Sequence, residues 1–289
     1  MTAPGIDLGA YLERIGLAGP VAPTLETLRA IHRLHPQAIP FENLDPLRGA
    51  PVHLDPGKLE EKLVRGRRGG YCFEHNLLLR EVLLAIGFPV RGLAARVVWN
   101  APPGAVTARS HMLLRVLAEG QELIADVGFG GQVLTGPLRL DAGGEQATPH
   151  EPFRLAEDGG AYTLEAQLDG AWRPLYRFDL TEQLPIDYVA INYYLSTSPA
   201  SHFTQKLLAA RTAPGRRYAL RNDQLAIHHT GGPTERRTLG SARELRDVLE
   251  ETFGVAAPDD AALDAALARV ATAPARVATA PAQVATAPE

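Results

Sequence analysis

Apolar residues recur every three to four positions through the first 87 residues and every second position from about Pro89 onward. That switch of period divides the chain before any single motif does. Leu8, Tyr11, Leu12 and Ile15 predict a first helix, with Asp7 placed to cap it. Leu25, Leu28, Ile31 and Leu34 predict a second, opened by Thr24 and stopped by Pro36. Asp55 and Pro56 open a third, since proline is tolerated in a first helical turn. A fourth starts near Cys72 and runs to about Ala85, with Gly87 and Pro89 ending it. Cys72, Asn76, Leu79, Leu83 and Ile86 share one face of this helix, and its mostly apolar character predicts a buried, central position.

Alternation then takes over. "RGLAARVVW", "SHMLLRVLA" and "QELIADVGF" read as strands, followed by "AYTLEAQ" and "AWRPLYRF", together a sheet or barrel of about 100 residues. From Ile191 the pattern mixes. "PASHFTQKLLAAR" reads as a helix, and "RRYALRNDQLAIHH" as a hairpin turning at Asn222 and Asp223. Ser241 and Glu244 form a capping box for "ARELRDVLEETF", which Gly254 ends. From Arg269 to Glu289 a seven-residue unit repeats, "RVATAPA RVATAPA QVATAPE". Proline in every unit defeats a coiled coil, so this stretch reads as an extended or disordered tail.

Composition narrows the function classes. Hydrophobic residues are 45% and charged ones 21%, as in ordinary globular domains, and the formal net charge of −4 favours neither nucleic acid nor an anionic membrane. One cysteine permits neither an internal disulfide nor a thiolate-rich metal site. The start "MTAPGIDLGAYLERIGL" carries no basic-then-apolar leader, and no apolar run is long enough to span a membrane. A cytoplasmic, reducing location is expected, where the thiol stays free.

That thiol lies in "RRGGYCFEHN", residues 67–76. A lone cysteine is commonly a small buried hydrophobe. Here it falls in the first turn of a helix, where unpaired N–H groups and the dipole favour an anionic sulfur. Arg65, Arg67 and Arg68 stand just upstream as further positive charge, and Gly69 and Gly70 leave the approach clear of side chains. A thiol nucleophile needs a base and the base an orienting group. His75, three residues on, is one candidate base. His111 with Asp126 is the stronger one. If Glu119 and Gly120 make a two-residue turn, Ala118 faces Gln121, Leu113 faces Asp126, and His111 becomes a diagonal neighbour of Asp126 on the same face. A slip by one residue would separate them. "DVGFGGQ" follows, and its Gly128, Gly130 and Gly131 make either a plain turn or a set of backbone donors for a phosphate or pantetheine chain.

The sequence resembles the arylamine N-acetyltransferase family over roughly residues 5 to 270. The resemblance rests on "IPFENLD", "RGGYCFEHN", "SHMLL", "ADVGFGG" and "STSPASHF", in that order and spacing. It implies an α+β fold with a papain-like Cys-His-Asp core: a helical first domain (1–87), a β-barrel second domain (88–190) and an α/β lid (191–270), with the low-complexity tail (271–289) outside the family pattern. By motif, Cys72 becomes the nucleophile, His111 the base and Asp126 the orienting carboxylate. Gly128, Phe129, Gly130 and Gly131 become the approach for acetyl-CoA, a cosubstrate rather than a permanently bound cofactor. Phe41, Val97, Phe129 and Phe203 become the pocket for an aromatic amine or hydrazine, and Glu42 pairs with Arg68. The implied reaction moves an acetyl group from acetyl-CoA to cysteine and then to the amine. No metal, nucleic acid or membrane is implied. Three other readings stand beside it. One is an amide synthase closing a polyketide chain onto its own aromatic amine. Another is a papain- or transglutaminase-like hydrolase. The third is a binding module with an inert buried cysteine.

Overall fold

The computed structural model describes residues 5–102, 104–140 and 144–272. Five helices dominate its first third: α1 (Leu8–Ile15), α2 (Leu25–Ala38), the short α3 (Leu44–Arg48), α4 (Pro56–Leu59, continuing as a π-helix over Glu60–Arg65) and α5 (Cys72–Ile86). Asp7 Oδ1 accepts from the Ala10 amide, and the Thr24 hydroxyl accepts from the Thr27 amide, as their sequence positions predict. Pro36 does not stop α2. It removes the N–H that would bond to the His32 carbonyl, yet the helix runs on two residues to Ala38. α5 is buried all round over Cys72–Leu79 rather than on one face. It is packed between the other helices and the outer face of the barrel, against Met112, Leu114 and Val116. Each of its buried leucines contributes about 1.5–3 kcal/mol by leaving water.

A two-residue strand, β1 (Phe41–Glu42), precedes α3. The barrel strands are β2 (Val90–Val97), β3 (Arg109–Ala118), β4 (Gln121–Ala125), β5 (Leu138–Arg139), β6 (Phe153–Asp158), β7 (Ala161–Leu168) and β8 (Ala171–Phe178). In the order β5-β4-β3-β2-β8-β7-β6 they curl into a nearly closed barrel. Leu93, Leu113, Ile124, Phe153, Leu164 and Leu175 fill its interior.

The remaining elements are α6 (Tyr188–Thr197), α7 (His202–Gln205), β9 (Leu208–Ala213), β10 (Arg216–Arg221), β11 (Gln224–His229), β12 (Thr234–Thr238), α8 (Ala242–Asp247, continuing as a π-helix over Val248–Thr252) and α9 (Ala261–Thr272). The expected helix over "PASHFTQKLLAAR" is a correction. Only His202–Gln205 is helical, and Leu208–Ala213 is strand, because β1 and β10 flank it on both sides. The hairpin turns at Asn222, in the left-handed region at φ 54, as expected. β1 supplies the outer strand of this second sheet, and Leu44 and Leu47 of α3 enter its core with Leu245, Leu249 and Leu267. The first residues of the repeat, through Thr272, belong to α9, so Ala271 and Thr272 of the expected tail are helical. The rest of the expected tail, residues 273–289, lies outside the described residues. Among the described residues no helix is long and apolar enough to cross a membrane.

Candidate active site

Cys72 opens α5 and is 4% exposed. The loop that delivers it is held by buried charge. Arg68 pairs with Glu42 at 2.8 Å, as the resemblance implies, and also with Asp45 at 3.1 Å. Lys62 bridges Asp45 and Glu74 at 2.6 Å each, and Glu74 accepts from the Tyr71 amide at 3.0 Å. Arg65 is engaged by Asp7 and Glu60. Arg65 and Arg68 are therefore neutralised by carboxylates instead of facing the sulfur. Gly69 and Gly70 also have a different cause from the one expected. A Cβ at Gly69 would run into the Pro40 carbonyl oxygen, and one at Gly70 would lie 2.6 Å from Glu74 Oε2. They permit close packing rather than an open approach.

The β3–β4 hairpin turns at Glu119 and Gly120, with φ of 50 and 76. Its register runs from Ala118↔Gln121 to Leu114↔Ala125, so Asp126 lies one position past the last ladder pair, next to Leu113. The diagonal pair forms: His111 Nε2 donates to Asp126 Oδ2 at 2.7 Å, with His111 2% exposed and Asp126 fully buried. Burial acts against the charged imidazole. The Asp126 carboxylate, its hydrogen bond and the neighbouring Cys72 side chain outweigh that, and hold His111 up to about 10. Asp126 sits below the usual carboxylate range: burial opposes this, but His111, Asn76 and the Gly128 amide favour the anion. With Nε2 given to Asp126, Nδ1 is the imidazole nitrogen left for Cys72.

His75 is occupied elsewhere. Its Nδ1 meets His35 Nε2 at 2.9 Å, its Nε2 meets the Pro40 carbonyl at 3.2 Å, and Tyr11 completes the chain on His35 Nδ1 at 2.8 Å. A carbonyl only accepts, so the chain runs one way, from the Tyr11 hydroxyl through two neutral imidazoles to Pro40. Burial pushes His75 down to about 4.

Asn76 and His32 are neighbours of the His111–Asp126 pair that the sequence reading missed. The Asn76 amide donates to Met112 O at 2.7 Å and to Asp126 Oδ1 at 2.9 Å, and accepts from the Val127 amide at 3.1 Å. His32 Nε2 accepts from the Asp126 amide at 3.0 Å. Histidines on α2 and an asparagine on the apolar face of α5 were visible. Nothing in their spacing tells that the end of β4 docks there.

The glycine-rich turn divides by position. Gly128 presses on α5: a Cβ there would lie 2.8 Å from the Cys72 Cα, and its amide is already given to Asp126 Oδ1 at 2.9 Å. It is thus not a free donor. Gly130 and Gly131 begin a 3₁₀ turn beside Phe41 and Ala219. Phe129 packs edge-on against His111 and Tyr176, both at 5.0 Å between centroids. Phe41 stacks parallel to His75 at 6.4 Å and tilts against Phe203 at 6.3 Å, while Phe203 meets Tyr71 edge-on. Val97 is the ladder partner of Tyr176. The rings therefore fall in two groups, Phe129 and Tyr176 on His111, and Phe41 and Phe203 on His75 and Tyr71.

A family model described as N-acetyltransferase matches residues 24–261. The arylamine N-acetyltransferase of Mycolicibacterium smegmatis is 47% identical over 263 residues, 90% of this chain and 95% of that protein. That of Escherichia coli K12 is 44% identical, over 87% of this chain and 90% of its own. The solved structure of Mycobacterium marinum arylamine N-acetyltransferase in complex with CoA superposes with a TM-score of 0.88 at 42% identity, over 91% of this chain and 99% of that one.

Proposed function

The chain belongs to the arylamine N-acetyltransferase family, and from that premise we propose that it moves an acetyl group from acetyl-CoA to aromatic amines and hydrazines through an acetyl-cysteine. The observation that carries the reading is the buried 2.7 Å His111–Asp126 pair beside the only cysteine, at a helix start. Residues 5–87 supply the nucleophile, 88–190 the base and its carboxylate, and 191–270 the cover carrying Phe203. A reducing cytoplasm suits a site that needs its thiol free.

With the imidazole held protonated beside Asp126, the proton of Cys72 rests on His111 Nδ1, and the sulfur attacks the thioester carbonyl carbon. The bond from that carbon to the coenzyme sulfur breaks, and the departing sulfur takes the proton back from His111. The amine nitrogen then attacks the acetyl-cysteine, gives a proton to His111, and the amide forms as the bond to Cys72 breaks and its sulfur regains the proton. The donor and the acetyl-cysteine are both thioesters, so the first transfer is not steeply uphill, and the second ends in the more stable amide. Asp126 keeps the imidazole oriented and stabilises its charged form. Acetyl-CoA binds as a cosubstrate in each cycle, with Phe129, Gly130 and Gly131 forming its approach and the Gly128 amide kept by Asp126. An aromatic amine suits the site for two reasons: its nitrogen is largely unprotonated near pH 7, and its ring packs against Phe41, Phe129 or Phe203, beside Val97.

Initial rates with both substrates varied test this. Parallel double-reciprocal lines are expected, because one sulfur serves both half-reactions. Intersecting lines would mean direct transfer in a ternary complex. Turnover only with a tethered polyketide thioester would replace acetyl transfer with amide closure.

A further inference from the structure

Asp126 carries the carboxylate of the site, yet its backbone lies just past the last β3–β4 pair. Three consecutive amides there are satisfied by side chains. The Asp126 amide goes to His32 Nε2 at 3.0 Å, the Val127 amide to Asn76 Oδ1 at 3.1 Å, and the Gly128 amide to Asp126's own Oδ1 at 2.9 Å. His32 is the sole contribution of α2 to this clamp and is fully buried. Accepting an N–H requires a lone pair on Nε2, so the ring is neutral and carries its proton on Nδ1. That Nδ1 has no hydrogen-bond partner among the described residues. The one polar contact the ring makes with another residue is therefore with the residue that orients His111.

We infer that His32 is a positioning residue for acyl transfer: by accepting the Asp126 amide it fixes the backbone from which the carboxylate reaches His111. The inference rests on the roles given above to Cys72, His111 and Asp126. Removing the acceptor leaves a buried N–H unpaired, and the segment relaxes by turning that amide elsewhere. The carboxylate turns with it. Misplacement on the order of an ångström at a catalytic group is enough to slow chemistry roughly a hundredfold. His32 is fully buried behind Asp126, so coenzyme binding should be spared.

The test compares His32→Phe, which keeps a planar ring without an acceptor, with His32→Gln, whose amide oxygen reaches to about the same place. Three quantities are read: the single-turnover rate of acetylation by acetyl-CoA, KM for acetyl-CoA, and the far-downfield proton resonance of the His111–Asp126 hydrogen bond. His32→Phe should slow acetylation roughly tenfold to a hundredfold, shift or broaden the resonance, and leave KM within about twofold. His32→Gln should restore most of the rate and the resonance. Should His32→Phe not fold, His32→Asn, whose acceptor falls short of the amide, takes its place. A folded Phe variant with an unchanged rate and resonance overturns the inference. So does equal slowing in the Phe and Gln variants with the resonance in place, the mark of a purely structural role. If the unaltered protein takes up no acetyl group, the reading of Cys72 fails, while the resonance still decides the place of His32.

Discussion

Asn76 makes three hydrogen bonds with one amide and so joins α5 to both strands that carry the base and its carboxylate. Asn76→Ala should orphan the Val127 amide and remove a donor from Asp126, at about 1–3 kcal/mol of stability. The midpoint of urea unfolding would report it. Acetylation of Cys72 should slow in the same variant, and an unchanged rate would show that His111 and the Gly128 amide suffice to hold Asp126. Phe129 lies edge-on to His111 and is only half-buried. Phe129→Ala should weaken the amine half-reaction by roughly 0.5–1.5 kcal/mol of aromatic contact plus burial. Pre-steady-state rates with and without amine separate that from the first half-reaction. Cys72, His111 and Asp126 were legible because a helix start, a period of two and a two-residue turn fix their places locally. His32 and Asn76 were not, since each side chain is indistinguishable from core filling until the end of β4 arrives against it.

The β3–β4 hairpin is the element on which the site depends most. Its turn holds Glu119 and Gly120 in the left-handed region, where only glycine escapes the clash with its own Cβ. Gly120→Val should cost about 1–2 kcal/mol. It should also lower activity more than that loss of stability alone, because a slip of one residue turns His111 to the other face. A variant that loses stability yet keeps full activity would show that the register is set elsewhere, by packing on α5. Other elements were not legible. β1 is two residues long and exists because β9 pairs with it; "LLAAR" turns to strand because β1 and β10 receive it. Both depend on partners about 170 residues apart in sequence, which no local period reveals. Pro36 misled for the opposite reason: a strong local signal did not end the helix, which continues two residues past it to Ala38.

At the scale of the whole molecule, the site lies where helices and barrel meet, around groups with opposed titration. Burial holds His32 and His75 down to about 4, and His35 well below its ordinary value. Each binds its proton more readily when unfolded, so stability should fall as pH drops from about 6.5 towards 4, by up to about 1.4 kcal/mol per pH unit for each ring. His111 works the other way. Its folded pKa is raised to about 10, so its contribution is full below about 6.5 and is lost as pH rises towards 10. Unfolding free energy measured from pH 4 to 10 should peak near neutrality, and His111→Gln should flatten the alkaline side alone. The buried charges behind the cysteine loop matter at this scale too. Arg68→Ala leaves Glu42 and Asp45 short of a partner in the interior and should destabilise by about 3–5 kcal/mol.

The acyl-cysteine itself is the centre of the account, and intact-protein mass spectrometry after mixing with acetyl-CoA in the absence of amine addresses it directly. One acetyl group should appear, peptide mapping should place it on Cys72, adding an aromatic amine should discharge it as the amide, and Cys72→Ala should take up none. An acetyl group on a lysine or serine, or turnover by Cys72→Ala, would contradict the account.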